Sequence, residues 1–233
     1  MPQTYYGDDV SRPVAVGVST RGTFIARTYT HLLAAIALFL AIEVIFFQSG
    51  LAPTIARAML SVNWLLVLGG FVIVSWLASS AAATAATLPA QYAALVAFVG
   101  AEAIIFVPML YIADSVAPGA IQSAGVLTAI GFAGLTAIAF ATRKDFSFLG
   151  ALLKWAFVVA LLAIVGAVLF GFELGTWFSV AMVGLAGAAI LRDTSNVLLH
   201  FPEDRYVAAS LQLFASVALL FWYLLRIFMG NRR

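Results

Sequence analysis

Long apolar runs separated by short polar breaks dominate this chain. Seven of them, at about 28–48, 63–83, 90–112, 119–142, 149–170, 176–195 and 206–229, have the length that crosses a bilayer. A hydrocarbon core about 30 Å thick takes roughly twenty helical residues. The runs are apolar all round, without the period-two alternation of barrel strands. The pattern therefore predicts an all-α integral membrane protein: a seven-transmembrane-helix bundle forming one domain over residues 28–230, behind a tail of residues 1–27. The second run fades into ASSAAATAAT, so its end is the least sharply marked.

Punctuation agrees with this division. Pro53, Pro89, Pro118 and Pro202 fall between runs, near helix starts where a missing amide proton costs nothing. In FPEDRY, Glu203 and Asp204 are expected on the first turn of the last helix, where the positive dipole end favours acids. Pro108 lies inside the third run and should kink it or free a carbonyl. Helices in lipid associate through small residues that let backbones approach. Ala129, Ala133, Ala137 and Ala141, beside Gly131 and Gly134, are the expected packing stripe of the fourth run. Gly184, Gly187 and Ala188 repeat the theme in the sixth run, and Gly69 and Gly70 in the second.

Composition sharpens the class. Hydrophobic residues make up 64% of the chain and charged ones 9%, with a mean hydropathy of +1.08, far from any soluble domain of this length. The first 27 residues carry Asp8, Asp9, Arg12, Arg21 and Arg27 without the apolar core of a signal peptide, so the tail is expected to stay where it is made. A net charge of +2 gives no reason to expect nucleic acid as a partner. The absence of cysteine removes disulfides and thiolate metal sites. With seven spans, the N-terminal side holds Arg12, Arg21, Arg27, Arg143, Lys144, Lys154, Arg192 and Arg205, and the other side holds Arg57, Arg226, Arg232 and Arg233. Eight against four of the twelve basic residues places the N-terminus in the cytoplasm. A re-entrant last segment would make the count eleven against one, but Tyr206 to Met229 is long enough to cross.

Few side chains could carry chemistry. Three carboxylates lie in or at the edge of the runs: Glu43, Glu102 and Asp193. A charge at the bilayer centre costs at least about 2.5–3.5 kcal/mol on insertion scales, so each should face the bundle interior and find a partner or a proton. Glu102 is the deepest, readable as an ion or proton site or as a neutral hydrogen-bonded acid. Glu43 is close enough to the end of its run to reach the outer interface. Asp193 is bracketed by Arg192 and by Thr194, Ser195 and Asn196. It is readable as an interfacial cap, with Arg192 snorkelling into headgroups. It is also readable as an inward-facing acid opposite Gln212 and Ser216, which lie one turn apart on one face of the last helix. Together Asp193, Gln212 and Ser216 would offer oxygens suited to a hard cation or a proton, with Arg192 as the pairing candidate.

Enzyme chemistry finds no support. The only histidines, His31 and His200, cannot assemble an intramembrane metal site and read as interfacial residues. No serine stands in a glycine-flanked nucleophile turn. Lys144 and Lys154 are the only lysines, so the last helix has none for a retinal Schiff base. No catalytic residue, fixed metal or cofactor is predicted.

Four strings carry a likeness to a known family: RTYTHLLAAIA opening the first helix, TRKDFSFLG between the fourth and fifth, RDTSNVLLH ending the sixth, and ASLQLFASVALLFWYLLRIFMG at the close. In order and spacing they resemble the Bax inhibitor-1 family over residues 25–230. TRKDFSFLG and DTSNVLLH look nearest to the bacterial branch whose studied member associates with and modulates the membrane-anchored protease FtsH. The resemblance implies a bundle in which six helices surround the last, with the N-terminus cytoplasmic, in the bacterial inner membrane. It also implies a pH-sensitive calcium leak gated by two aspartates, one on each of the last two helices. Asp193 matches the first by its DT motif, but counting back from LLRIF places Ser216 at the second, so the pair is incomplete. Two nearby acids create a titration near neutral pH, and an Asp facing a Ser lacks that repulsion.

Two functional expectations follow: a regulator that binds a membrane protease such as FtsH through its tail and bundle surface, and a proton-sensitive calcium or proton leak. In the leak, Asp193, Gln212 and Ser216 would line the path, with Glu102 or Glu43 as a replacement acid. Beside these two stands a further alternative, a structural subunit of a larger membrane assembly.

Overall fold

The computed structural model describes residues 16–85 and 87–230, with side chains from residue 20. They form eight helices: α1 (Val16–Gln48), α2 (Leu51–Leu60), α3 (Trp64–Thr84), α4 (Leu88–Val116), α5 (Ala120–Thr142), α6 (Leu149–Phe170), α7 (Thr176–Leu199) and α8 (Tyr206–Gly230). Seven are long and apolar enough to cross a membrane. The protein is thus an all-α multi-pass membrane protein, and the boundaries of α3, α5, α6 and α8 fall within a residue of those predicted.

Three differences have local causes. First, α1 begins at Val16 instead of residue 28, so part of the expected tail is helical, and residues 1–15 lie outside the described residues. Its extra turns bring Arg21 to carbonyls at the end of α7. Second, the break after α1 contains the ten-residue α2, too short to span. Gly50, at φ 75°, makes the turn that an L side chain would resist, and Ala52 and Ala56, spaced i,i+4, bury against Val107 of α4. Third, Glu203 and Asp204 fall in the turn before α8 instead of on its first helical turn. That turn is closed by Arg205 N donating to Pro202 O (3.0 Å), and Asp204 pairs with Arg205 (3.3 Å).

The last helix is central, since α8 packs on α1, α3, α4, α5 and α7. The sixth neighbour, α6, packs chiefly on α7 and reaches α8 through a small cluster of Ala160, Met182 and Tyr223. α4 shares the interior with α8, and an aromatic core joins them to α1: Phe39 meets Phe106 at 5.2 Å, and Phe98 meets Phe214 at 6.1 Å. α8 runs unbroken for 25 residues, about 37 Å at 1.5 Å per residue, long and apolar enough to cross without the break of a re-entrant segment.

The alanine stripe foreseen on α5 is turned outward: Ala129, Ala133, Ala137 and Ala141 are exposed. The packed face carries Ala124, Thr128 and Ala139, with Gly131 in contact range of Leu220. Gly69, Gly70 and Gly184 are exposed too, whereas Gly187 meets Leu135. Small residues permit close approach, but which face is approached depends on where the neighbouring helix stands. Pro108 is buried within an α4 that continues through it, leaving the carbonyl one turn earlier without its usual donor.

Hydrogen bonds group the connections on two faces. The start of α1, the α3–α4 and α5–α6 connections and the end of α7 share one, here the near face, through Arg21, Arg205 and Ser195. The α6–α7 connection and the end of α8 share the far face, where Arg226 donates to Leu174 O.

Candidate functional site

α7 keeps its helical form through the polar string after Leu191 because the bundle supplies partners for it. Asp193, Thr194, Ser195 and Val197 are all buried. Asp193, 4% exposed, faces α8. Its Oδ2 accepts from Ser216 Oγ at 2.6 Å, and its Oδ1 accepts from Gln212 Nε2 at 2.6 Å and Arg192 Nη1 at 3.2 Å. Gln212 and Ser216 meet the same carboxylate because residues four apart share a helix face. The sequence-predicted cluster is therefore assembled, including the pairing candidate Arg192.

Arg192 does not snorkel away from the bundle. Its side chain lies over Gly150 at the start of α6, where an added Cβ would stand 3.0 Å from Nε. The guanidinium closes the site from the near face while remaining 28% exposed. Gly150, the last residue of TRKDFSFLG, serves as the floor on which the arginine rests. Ser195, two residues beyond Asp193, donates to Lys144 O and accepts from Phe146 N, both at 3.1 Å. The two most characteristic strings of the chain, TRKDFSFLG and RDTSNVLLH, are thus bonded to each other. Outside the membrane in that loop, the Ser147 backbone and side chain, then His200, hold the Asp145 carboxyl below its usual range. The Asp145–His200 pair spans 3.3 Å.

Arg21 is the main side chain that sequence reasoning missed. Its guanidinium donates to Val197 O (2.7 Å), Leu198 O (3.1 Å) and Phe201 O (2.5 Å), covering the carbonyl end of α7 just beyond Asp193. A cation there satisfies orphan acceptors and the negative end of the helix dipole. Nothing local signals this, since the two partners are more than 170 positions apart in sequence.

The other two carboxylates lie elsewhere. Glu43 on α1 is 7% exposed, and neither oxygen has a hydrogen-bond partner among the described residues. Glu102, the middle residue of α4, is also 7% exposed and lines a cavity of about 1020 Å³ in the far half of the bundle. Neither touches Asp193, whose donors are Ser216, Gln212 and Arg192.

Chemically, Asp193 acts as the acceptor for three donors, the arrangement that suits an ionised carboxylate. Gln212 turns its amide nitrogen to the acid. Asp193, Gln212 and Ser216 together hold four side-chain oxygens, short of the six to eight that calcium takes. No cluster of three or more His, Cys, Asp or Glu suited to a metal occurs among the described residues.

Residues 21–233 match the family model described as "Inhibitor of apoptosis-promoting Bax1". An uncharacterised protein of Pseudomonas aeruginosa is 38% identical over 111 residues, 46% of this chain and 49% of its own length. The "Modulator of FtsH protease YccA" of Escherichia coli K12 is 35% identical over 101 residues, 43% of this chain and 46% of its own. The "Inner membrane protein YccA" of Escherichia coli O6:H1 matches to the same extent. The chain thus spans about half the length of the curated relatives it matches.

Proposed function

Because the chain belongs to the Bax inhibitor-1 family, we propose that it is a multi-pass protein of the bacterial inner membrane that binds and regulates a membrane-anchored protease of the FtsH class. One observation carries this reading: 35% identity over 101 residues to a protein named as a modulator of that protease. The geometry is consistent with it. Asp193 is held by three donors in a closed cluster, and regulation by binding asks for a stable bundle and an accessible surface, with no reacting group. On this reading the N-terminus faces the cytoplasm, supported by the eight-to-four distribution of basic residues, and residues 1–27 and the near-face loops would meet the protease there. The test is to purify the tagged full chain in mild detergent. An FtsH-class protease should co-isolate in comparable amount, and overproduction of the chain should lengthen the lifetime of a short-lived FtsH membrane substrate. Absence of both effects overturns the proposal.

A second reading, a proton-sensitive calcium leak, is favoured by the burial of Asp193 against the central helix. Opening would separate Asp193 from Ser216 and Gln212, and Arg192 would leave its seat over Gly150. In proteoliposomes, calcium flux should depend on pH and change in Asp193→Asn. Flux that is the same in that variant removes Asp193 from any conduction path.

A further inference from the structure

The far-half cavity is lined on one wall by α3 and α4 and on the other by α6, α7 and α8. It extends from Glu173 and Arg226 at the far face to Glu102 at mid-height of α4. From Val116 to Glu102 is fourteen residues, or about 20 Å of helix. Its wall on α8 runs from Ala215 to Gly230 and includes Leu219 and Tyr223, three and seven residues beyond Ser216 on the same helix face. Along the central helix the cavity therefore lies on the far-face side of the Asp193 cluster.

Three features of the lining point to one class of occupant. Its volume, about 1020 Å³, is at the upper end for small-molecule sites. Its inner surface is aromatic: Trp64, Phe71, Phe106, Trp222 and Tyr223 line it, with Trp222 edge-on to Phe106 at 4.9 Å and stacked near Trp64 at 6.5 Å. Its charged groups are Glu102, Glu173 and Arg226, so with all three ionised the acids exceed the bases by one. Arg226 is already engaged, donating to Leu174 O at 2.9 Å and lying 5.9 Å over the Phe178 ring. The Glu102 carboxyl, 93% buried by its 7% exposure, makes none of the hydrogen bonds or ion pairs found among the described residues.

A buried acid without a partner beside aromatic faces forms an incomplete cation site. Rings attract a cation through their quadrupoles, and a desolvated carboxylate gains most from an opposite charge that brings its own apolar surface. An inorganic ion such as calcium gathers six to eight oxygens in one shell, whereas here the second acid, Glu173, stands at the far-face end of the cavity, away from Glu102 at mid-height. We propose that the cavity binds a lipophilic organic cation, its charge at Glu102 and its apolar body among Trp64, Phe106 and Trp222.

Equilibrium dialysis of tetraphenylphosphonium against the full chain in lipid nanodiscs tests this, with neutral triphenylphosphine oxide as the comparison. The cation should bind at least about tenfold more tightly than the neutral compound, and Glu102→Gln should weaken it at least about tenfold. Glu43→Gln, which alters a buried acid outside the cavity, should leave its affinity unchanged. Tryptophan fluorescence should be quenched as the site fills. Equal binding of the neutral compound, undiminished binding in Glu102→Gln, or no saturable cation binding overturns the proposal. If Glu102→Gln does not fold, the comparison of the two ligands on the unaltered chain decides by itself.

Discussion

At the scale of single residues, Asp193 is defined by its donors. Ser216 and Gln212 each reach it at 2.6 Å, and Arg192 at 3.2 Å. Hydrogen bonds to a charged group contribute about 1.5–3 kcal/mol each, and a donor removed leaves the carboxylate short of one partner in a buried site. Ser216→Ala should therefore lower stability by about 1–3 kcal/mol, measured as the denaturation midpoint in detergent, while the helical signal before the transition stays the same. A variant as stable as the parent would mean that water replaces the hydroxyl and that the cluster is open. The candidacy of Asp193, Gln212 and Ser216 was legible in advance because helical spacing puts residues 212 and 216 on one face. The seat of Arg192 over Gly150 was not, because it joins two helices whose contact no local pattern encodes.

At the scale of elements, the near face is held together by arginines bonded to helix-end carbonyls. Arg21 covers the end of α7, and Arg205 Nη1 donates to Ala85 O, the C-cap carbonyl of α3, at 2.7 Å. Carboxylate partners are scarce in a chain with 9% charged residues, and unsatisfied carbonyls at helix ends are the acceptors at hand. Arg21→Ala should cost about 2 kcal/mol and speed hydrogen exchange in residues 195–200 ahead of the rest of α7. Arg21→Lys should restore less than half of that loss, because an ammonium cannot spread over several carbonyls as a planar guanidinium does. Uniform exchange along α7 in Arg21→Ala would deny it the capping role. The helices themselves were readable from apolar run length, whereas α2 escaped because ten residues with two arginine-flanking alanines look like a loop until α4 covers them.

At the scale of the whole molecule, two sites of different character lie one beyond the other along the central helix. The near side has a closed, hydrogen-bonded aspartate tied by Ser195 to the α5–α6 loop. The far side has a wide aromatic cavity whose inner end holds Glu102, without a hydrogen-bond or ion-pair partner among the described residues. Glu43, Glu102 and Asp193 looked alike as intramembrane acids, yet their surroundings differ in kind: no hydrogen-bond partner, a cavity, and three donors. Burial is common to all three, so it does not distinguish a structural acid from a binding one. The groups facing each acid do.

Sequence alone determined the class and the number of crossings, because a bilayer imposes length and hydrophobicity on each span separately. It also put forward the Asp193 cluster as one of two readings of that acid, since Gln212 and Ser216 are neighbours by helical geometry and Asp193 interrupts an apolar run. Only the tertiary structure decided which faces are inside. The α5 alanines point outward, Arg21 closes α7 from a distance, and Glu102 belongs to a cavity instead of to Asp193. In lipid an apolar residue is equally at ease facing a tail or a neighbouring helix. Hydropathy therefore carries no record of orientation about the helix axis, and only the packing of all the helices together supplies it.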